Sequence, residues 1–312
     1  MGARLLDGRE LAKTLKAKLK EDVASFQGET DVVPGLALVR AGEDPASVSY
    51  AKMIKRTCEG VGVAFRSTIL PSDVTEDGMA DAVRVLNGEK DVHGIIIQAP
   101  VPKGINDAVV IEALDPAKDV DGVHPLNAGR LARAAFVDRA QDIGPYFVPS
   151  APMAGLELMK HYQIKIDGQR AVVVGASPVV GKPIALLLLQ NWATLTVCDL
   201  HTSPLYEMTR EADILCAATG VAHLITAEMV KPGATVIDFG FARKGDKWVG
   251  DVDFEAVKEV ASAITPVPGG IGPLTNVMLM RKVLRAAELQ TRFGVQFAIR
   301  VDPAKLLREA AA

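Results

Sequence analysis

At 312 residues the chain is long enough for two domains, and 35 Lys plus Arg against 38 Asp plus Glu leave a net charge of −3 with no long block of one sign. That balance argues against a nucleic-acid-binding stripe and against an acidic interaction tail, so no nucleic-acid partner is expected. Cys58, Cys198 and Cys216 are odd in number and far apart, which argues against a disulfide framework or a zinc site; a reducing cytoplasm and no metal are expected.

In chain order, Leu11, Leu15, Leu19 and Val23 recur at helical spacing over Asp7 to Phe26, and Gly35 to Arg40 is a short apolar run of buried-strand type. The pair repeats. Asp44 to Glu59 reads as helix, Phe65 to Leu70 as strand, Val74 to Leu86 as helix and Gly94 to Gln98 as strand. This predicts an α/β layer on a mostly parallel sheet. Between about Asp115 and Pro152 the period is lost among Pro116, Pro125, Pro145, Pro149 and Pro152, so a domain boundary is expected there. Beyond it, strand-like runs open at Ala171, Thr194, Asp213, Ala234 and Ala263, the signature of a second, doubly wound parallel sheet. No stretch reaches the roughly 18 apolar residues of a membrane helix, and the first residues lack a signal-peptide pattern. An Ala-rich tail at 309–312 is expected to fray.

Four segments carry candidate chemistry. Gly94-Ile95-Ile96-Ile97-Gln98-Ala99-Pro100-Val101-Pro102 ends a buried strand on a neutral amide, at the place where α/β sheets bind ligands. Pro116 to Gly129 combines turn residues with two carboxylates, Asp119 and Asp121, and taken alone is more often a solvated turn. Gly175-Ala176-Ser177-Pro178-Val179-Val180-Gly181-Lys182-Pro183 joins an apolar strand to a helix and can turn backbone N–H groups toward a phosphate, although G-x-G-x-x-G is absent and an ordinary turn is the competing reading. Asp199 closes the next strand, near the 20-residue distance at which an acidic residue bonds an adenosine ribose and repels a 2′-phosphate. This favours NAD over NADP; the alternative is that Asp199 only caps a strand end. Finally, Thr265-Pro266-Val267-Pro268-Gly269-Gly270-Ile271-Gly272-Pro273 fixes an unusual backbone path suited to a flat ligand, or to a hinge.

The order of Tyr50, Gly94–Pro102, Lys118–Gly129, Gly175–Pro183, Lys231-Pro232-Gly233, Gly250-Asp251-Val252 and Thr265–Thr275 resembles the bifunctional methylenetetrahydrofolate dehydrogenase/cyclohydrolase family over nearly the whole chain. The resemblance implies an N-terminal α/β catalytic domain at 1–140, completed by C-terminal helices at 276–312. It further implies an inserted Rossmann-type domain at 141–275, a folate cleft between the two, and a homodimer. Tyr50 would line the pterin cleft, Gln98 and Asp121 would hold the folate head group, and Pro268 and Gly269 would close the other side. Gly175, Ser177, Val179 and Gly181 would border the dinucleotide, with Thr265 near it.

Departures from the family pattern carry as much information. The family's catalytic lysine position is Ile54 here, and Lys52 and Lys55 point about 200° and 100° away on a helix. Pro149-Ser150-Ala151-Pro152-Met153-Ala154 replaces the usual Pro-Cys-Thr-Pro-x-Gly, and Asp199-Leu200 replaces a His-Ser pair. Oxidation of 5,10-methylenetetrahydrofolate needs a hydride acceptor and no side-chain proton transfer, whereas methenyl hydrolysis needs a proton shuttle. The expectation is a dehydrogenase using NAD, or else NADP, with weak or absent cyclohydrolase activity. Three alternatives stay open: a one-residue helix slip that brings Lys55 into the cleft, an NAD(P)-dependent oxidoreductase of altered substrate, and a folate- or nucleotide-binding protein without turnover.

Overall fold

The computed structural model describes residues 2–134, 146–245 and 247–294. The expected boundary near 140, the residues of the C-terminal segment past 294 and the Ala-rich tail lie outside the described residues.

The first half alternates as the apolar periods require: β1 (Arg4–Leu5), α1 (Arg9–Thr30), β2 (Gly35–Ala41), α2 (Pro45–Glu59), β3 (Ala64–Leu70), α3 (Glu76–Gly88), β4 (Gly94–Ile97) and the short α4 (Asp107–Glu112). Strands β3, β2 and β4 form a parallel sheet in that order, with Leu36 opposite both Phe65 and Gly94. The central strand, β2, is buried from Gly35 to Arg40, which is why it reads as an unbroken apolar run instead of an alternating one.

The expectation of irregular chain from 115 to 152 fails in two places. Helix α5 (Pro125–Arg133) lies inside it and α6 (Ser150–His161) begins at its end, and the prolines start both. Pro125 occupies the first helical turn, where its missing N–H is no loss, and the ring of His124 accepts the Leu126 amide as the N-cap. Pro149 is the N-cap residue of α6, and Pro152 lies in its first turn.

The second half contains β5 (Arg170–Val174), α7 (Gly181–Gln190), β6 (Thr194–Cys198), α8 (Leu205–Arg210), β7 (Ile214–Ala217), β8 (Thr235–Asp238), a β9 (Ala242–Lys244) and β10 (Lys247–Val249) antiparallel hairpin, α9 (Phe254–Val257), β11 (Ala263–Ile264) and the long α10 (Ile271–Phe293). Its six-stranded parallel sheet runs β1-β11-β8-β7-β5-β6. The order reverses at β5, so a crevice opens beyond the carboxyl ends of β5 and β7. Strand β1, from the N-terminus, pairs with β11 at the edge of this second sheet.

One continuous core joins the halves. It includes Leu36, Leu38 and Ile96 of the first sheet, Val173, Cys216 and Ile237 of the second, and the inner face of α10, including Leu274, Met278, Val283 and Ala287. Helix α10 packs against α1, α2, α6 and β4, so the C-terminal helix fastens both sheets. Among the described residues no helix is long and apolar enough to cross a membrane.

Candidate active site

The first cluster forms where α2 passes the carboxyl end of β4. Asp44 caps α2 by accepting the Ser47 amide at 2.9 Å, and Pro45 starts the first turn. The cap fixes the helix phase. Ala51, Ile54 and Cys58 face the core, with Ile54 fully buried, while Lys52 and Lys55 face solvent and Lys55 lies 3.8 Å from Glu59. Tyr50, one turn before Ile54, is 38% exposed.

Gln98 follows β4 and is buried. Its backbone amide donates to the Val39 carbonyl, continuing the sheet, and its side-chain Nε2 donates to the Ser47 carbonyl on α2 at 2.9 Å. The other end of the amide, Oε1, is buried without a hydrogen-bond partner among the described residues. A buried acceptor without a partner is destabilising by about 1–3 kcal/mol unless something donates to it.

The two carboxylates of the 118–124 turn divide the work. Asp119 bridges to Ile95 beside β4, is fully buried, and accepts the amides of Val123 and His124 and the Nδ2 of Asn127. It organises the turn. Asp121 is half-buried beyond it, and Gly122, at φ +69°, lets the chain double back where a Cβ would meet the Phe147 carbonyl oxygen at 2.7 Å. Loss of solvation pushes the Asp121 carboxyl above its usual range, the buried Lys282 ammonium of α10 opposes this, and the Asp119 charge reinforces it. Tyr50 is raised well above the ordinary phenol range by burial and by the Asp121 charge, so its hydroxyl keeps its proton. Tyr50 and Asp121 thus interact directly, and Gln98 is tied to the first turn of the helix that carries Tyr50.

Pro268 and Gly269 belong to the strap between β11 and α10. The Pro268 carbonyl accepts Arg9 Nη2 at 3.1 Å, the Gly269 carbonyl accepts the Gly8 amide at 2.8 Å, and Gly269 sits at φ +124° with the Arg9 guanidinium where a Cβ would project. These contacts tie the strap to the start of α1. Its link to the first cluster runs through α10, where Asn276 reaches the sulfur of Met53 on α2.

A second cluster gathers at the carboxyl ends of the six-stranded sheet. Gly175 ends β5 at φ +105°; a Cβ there would lie 2.2 Å from the Ala218 carbonyl oxygen, and one on Gly181 would lie 1.8 Å from the Gly175 carbonyl oxygen. Only glycine fits at either place. Ser177 turns its hydroxyl into the loop, where Oγ accepts the amides of Val180 and Gly181 at 3.2 and 3.3 Å, leaving Val179 45% exposed. Ser177 therefore shapes the turn. The glycine-only path, opening directly onto the sheet's crevice, fits a dinucleotide pyrophosphate approached by backbone alone.

Asp199 is exposed at the end of β6, and its Oδ1 accepts the His201 amide at 2.9 Å. This bond closes a short turn immediately after β6. Thr265 is buried, and its hydroxyl accepts the Asp238 amide at 2.7 Å, so it joins the ends of β11 and β8.

Three residues of structural consequence were given no role by the motif reading, although Asp251 falls in one of its quoted segments. Asp238, held by the amides of Gly240, Asp251 and Val252, is pushed up to about 7 by burial, those bonds opposing. Asp251 is fully buried, and its Oδ2 pins the Thr219 and Gly220 amides at the switch point. Lys282, 4% exposed, donates to the Val148 carbonyl at 2.8 Å; burial pushes it down to about 8 against the pull of Asp121 and Asp119. Its signal was available. A lysine four residues from both Met278 and Ala286 lies on the apolar stripe of its helix.

Comparisons with known proteins agree with this geometry. Residues 6–121 match the family described as tetrahydrofolate dehydrogenase/cyclohydrolase, catalytic domain, and residues 149–291 match its NAD(P)-binding domain. The bifunctional protein FolD of Roseiflexus castenholzii is 50% identical over 291 residues, spanning 93% of this chain and 98% of that protein. Among solved structures, the bifunctional FolD methylenetetrahydrofolate dehydrogenase/cyclohydrolase of Campylobacter jejuni superposes with a TM-score of 0.87 at 37% identity, covering 92% of this chain and 99% of that one. FolD of Trypanosoma brucei, solved with NADP and an inhibitor, gives 0.87 at 33% identity, with 94% and 99% covered. Two matched domains and near-complete coverage place this chain in the tetrahydrofolate dehydrogenase/cyclohydrolase family.

Proposed function

We propose that this protein oxidises 5,10-methylenetetrahydrofolate to 5,10-methenyltetrahydrofolate by hydride transfer to NAD(P), with NAD favoured and with cyclohydrolase activity weak or absent. The observation that carries the dehydrogenase reading is the buried Gln98 Oε1, which accepts no hydrogen bond among the described residues, at the end of β4 and against the first turn of the helix that carries Tyr50. A pteridine head group offers N–H donors that would satisfy the amide and the carboxylate together. Tyr50, kept neutral, would line the same cleft, with Pro268 and Gly269 on its other side. Gly175, Ser177, Val179 and Gly181 would border NAD(P), with Thr265 near it, and the dinucleotide would supply the hydride acceptor. The protein's part is then alignment, which is worth several kcal/mol of barrier without any proton being moved.

Hydrolysis asks for more. Water adding to the methenyl carbon must lose a proton, and a ring nitrogen must gain one. The buried position on α2 that faces inward after Tyr50 is Ile54, and Lys52 and Lys55 face outward, which supports the loss of the shuttle. Asp199 at the end of β6 supports NAD, because a carboxylate there repels a 2′-phosphate. On the family pattern we further propose a homodimer of two-domain subunits divided at 1–140 with 276–312, and 141–275. The three free, buried cysteines are in keeping with a cytoplasmic location.

Supplying 5,10-methylenetetrahydrofolate with NAD or NADP and following nicotinamide reduction tests the reading. Faster reduction with NAD is expected. Binding of folate without reduction of either dinucleotide would overturn the enzyme reading.

A further inference from the structure

Lys282 is a cation on the side of α10 where the fold buries Met278 and Ala286. Burying an ammonium ion is unfavourable by several kcal/mol unless it is compensated, and its hydrogen bond to the Val148 carbonyl at 2.8 Å is to a neutral group. The location of that carbonyl gives the cation a purpose. The carbonyl carbon of Val148 and the nitrogen of Pro149 would lie 2.8 and 2.9 Å from a Cβ on Gly122. The stretch that accepts from Lys282 therefore packs directly on the residue after Asp121. The charged and titratable groups facing the pair are Asp119 in the same turn, Tyr50 from α2, and His124, which faces Asp119. Lys282 is the cation among them, and position 54 on the neighbouring helix supplies none.

We propose that Lys282 is a positioning residue whose ammonium, acting through the 147–149 backbone layer, keeps Asp121 ionised so that it can accept hydrogen bonds from the folate head group. This rests on the reading of Asp121 as a folate-binding carboxylate. The cleft of this chain thus takes its balancing positive charge from α10 in place of α2. Asp121, already raised by burial, would rise further without the cation. An acid there donates where the carboxylate accepted, so folate affinity would fall on the acid side first. Above the titration of Lys282, near 8, the compensation is lost as well.

The test follows the carboxyl carbon of Asp121 by ¹³C NMR in the free protein, together with the folate KM from pH 5 to 10. In Lys282→Gln the Asp121 midpoint should rise by about one unit or more, and the acid limb of kcat/KM should move with it. In Lys282→Arg the acid limb should stay in place while the alkaline rise in KM disappears. An unmoved Asp121 midpoint in Lys282→Gln overturns the inference. Should that variant fail to fold, an alkaline limb that persists in Lys282→Arg overturns it instead. Asp121→Asn separates the two readings: unchanged folate KM there defeats the folate role of Asp121, whereas a lost KM with an unmoved midpoint defeats the role of Lys282 alone.

Discussion

The two clusters are built by different physics. Around β4 and α2 the determinants are side chains with buried polar atoms, Gln98, Asp121, Tyr50 and Lys282, whose charges act on one another. Around β5 and α7 they are absences of side chain, Gly175 and Gly181, with Ser177 folded inward to hold the turn. The first cluster should therefore respond to charge and pH, and the second to volume. A methyl group is intolerable at Gly175 and Gly181 of the second, where it would meet backbone oxygen at about 2 Å.

The largest effect is expected in the second cluster. Gly175→Ala and Gly181→Ala each force a carbon to within about 2 Å of a backbone oxygen, so the turn must open. Dinucleotide binding by calorimetry should vanish and thermal stability should drop by several kcal/mol; an alanine variant that binds NAD normally would show that the turn is not the pyrophosphate cradle. In the first cluster, Lys282→Met should change the pH dependence of stability. A lysine lowered from its ordinary value to about 8 binds fewer protons when folded than unfolded between pH 8 and 10.5, so wild-type stability rises with pH across that window. Below pH 8 the variant should gain on the wild type by roughly 3 kcal/mol, and the advantage should fade toward pH 10.5 in urea titrations. Gln98→Leu should reduce kcat/KM for the folate by about 10- to 100-fold, the range of one buried hydrogen-bonding group, with NAD affinity unchanged. The smallest effect belongs to Asp199→Ser. Because Asp199 is exposed and already engaged by His201, the preference for NAD should relax by no more than about tenfold, read as the ratio of kcat/KM values for NAD and NADP.

Much of this was legible in the chain itself, for reasons that differ by element. Strands β2, β4, β5, β7 and β8 are buried on both faces, and an apolar run such as Gly94 to Ile97 advertises that directly. Helices α5 and α6 were hidden because proline breaks a helix interior but starts a helix, and sequence alone did not separate the two uses at Pro125 and Pro149. The division of labour between Asp119 and Asp121 depends on the bridge to Ile95 and on the return of the chain past Gly122, contacts that no local pattern encodes. The pairing of Asp238 with the amides around Asp251 joins two turns 13 residues apart and has no periodic signature either. Lys282 was visible as a break in an apolar stripe, yet its meaning required knowing that Val148 lies against Gly122.

The account turns on Ile54, and methenyl hydrolysis measured with supplied 5,10-methenyltetrahydrofolate tests it most directly. The unmodified protein should hydrolyse the substrate little faster than buffer, and Ile54→Lys should raise the rate by about 10²-fold or more. Circular dichroism should show that the variant is folded, since Ile54 is fully buried. Brisk hydrolysis by the unmodified protein, or a folded Ile54→Lys variant with no gain, would contradict the account.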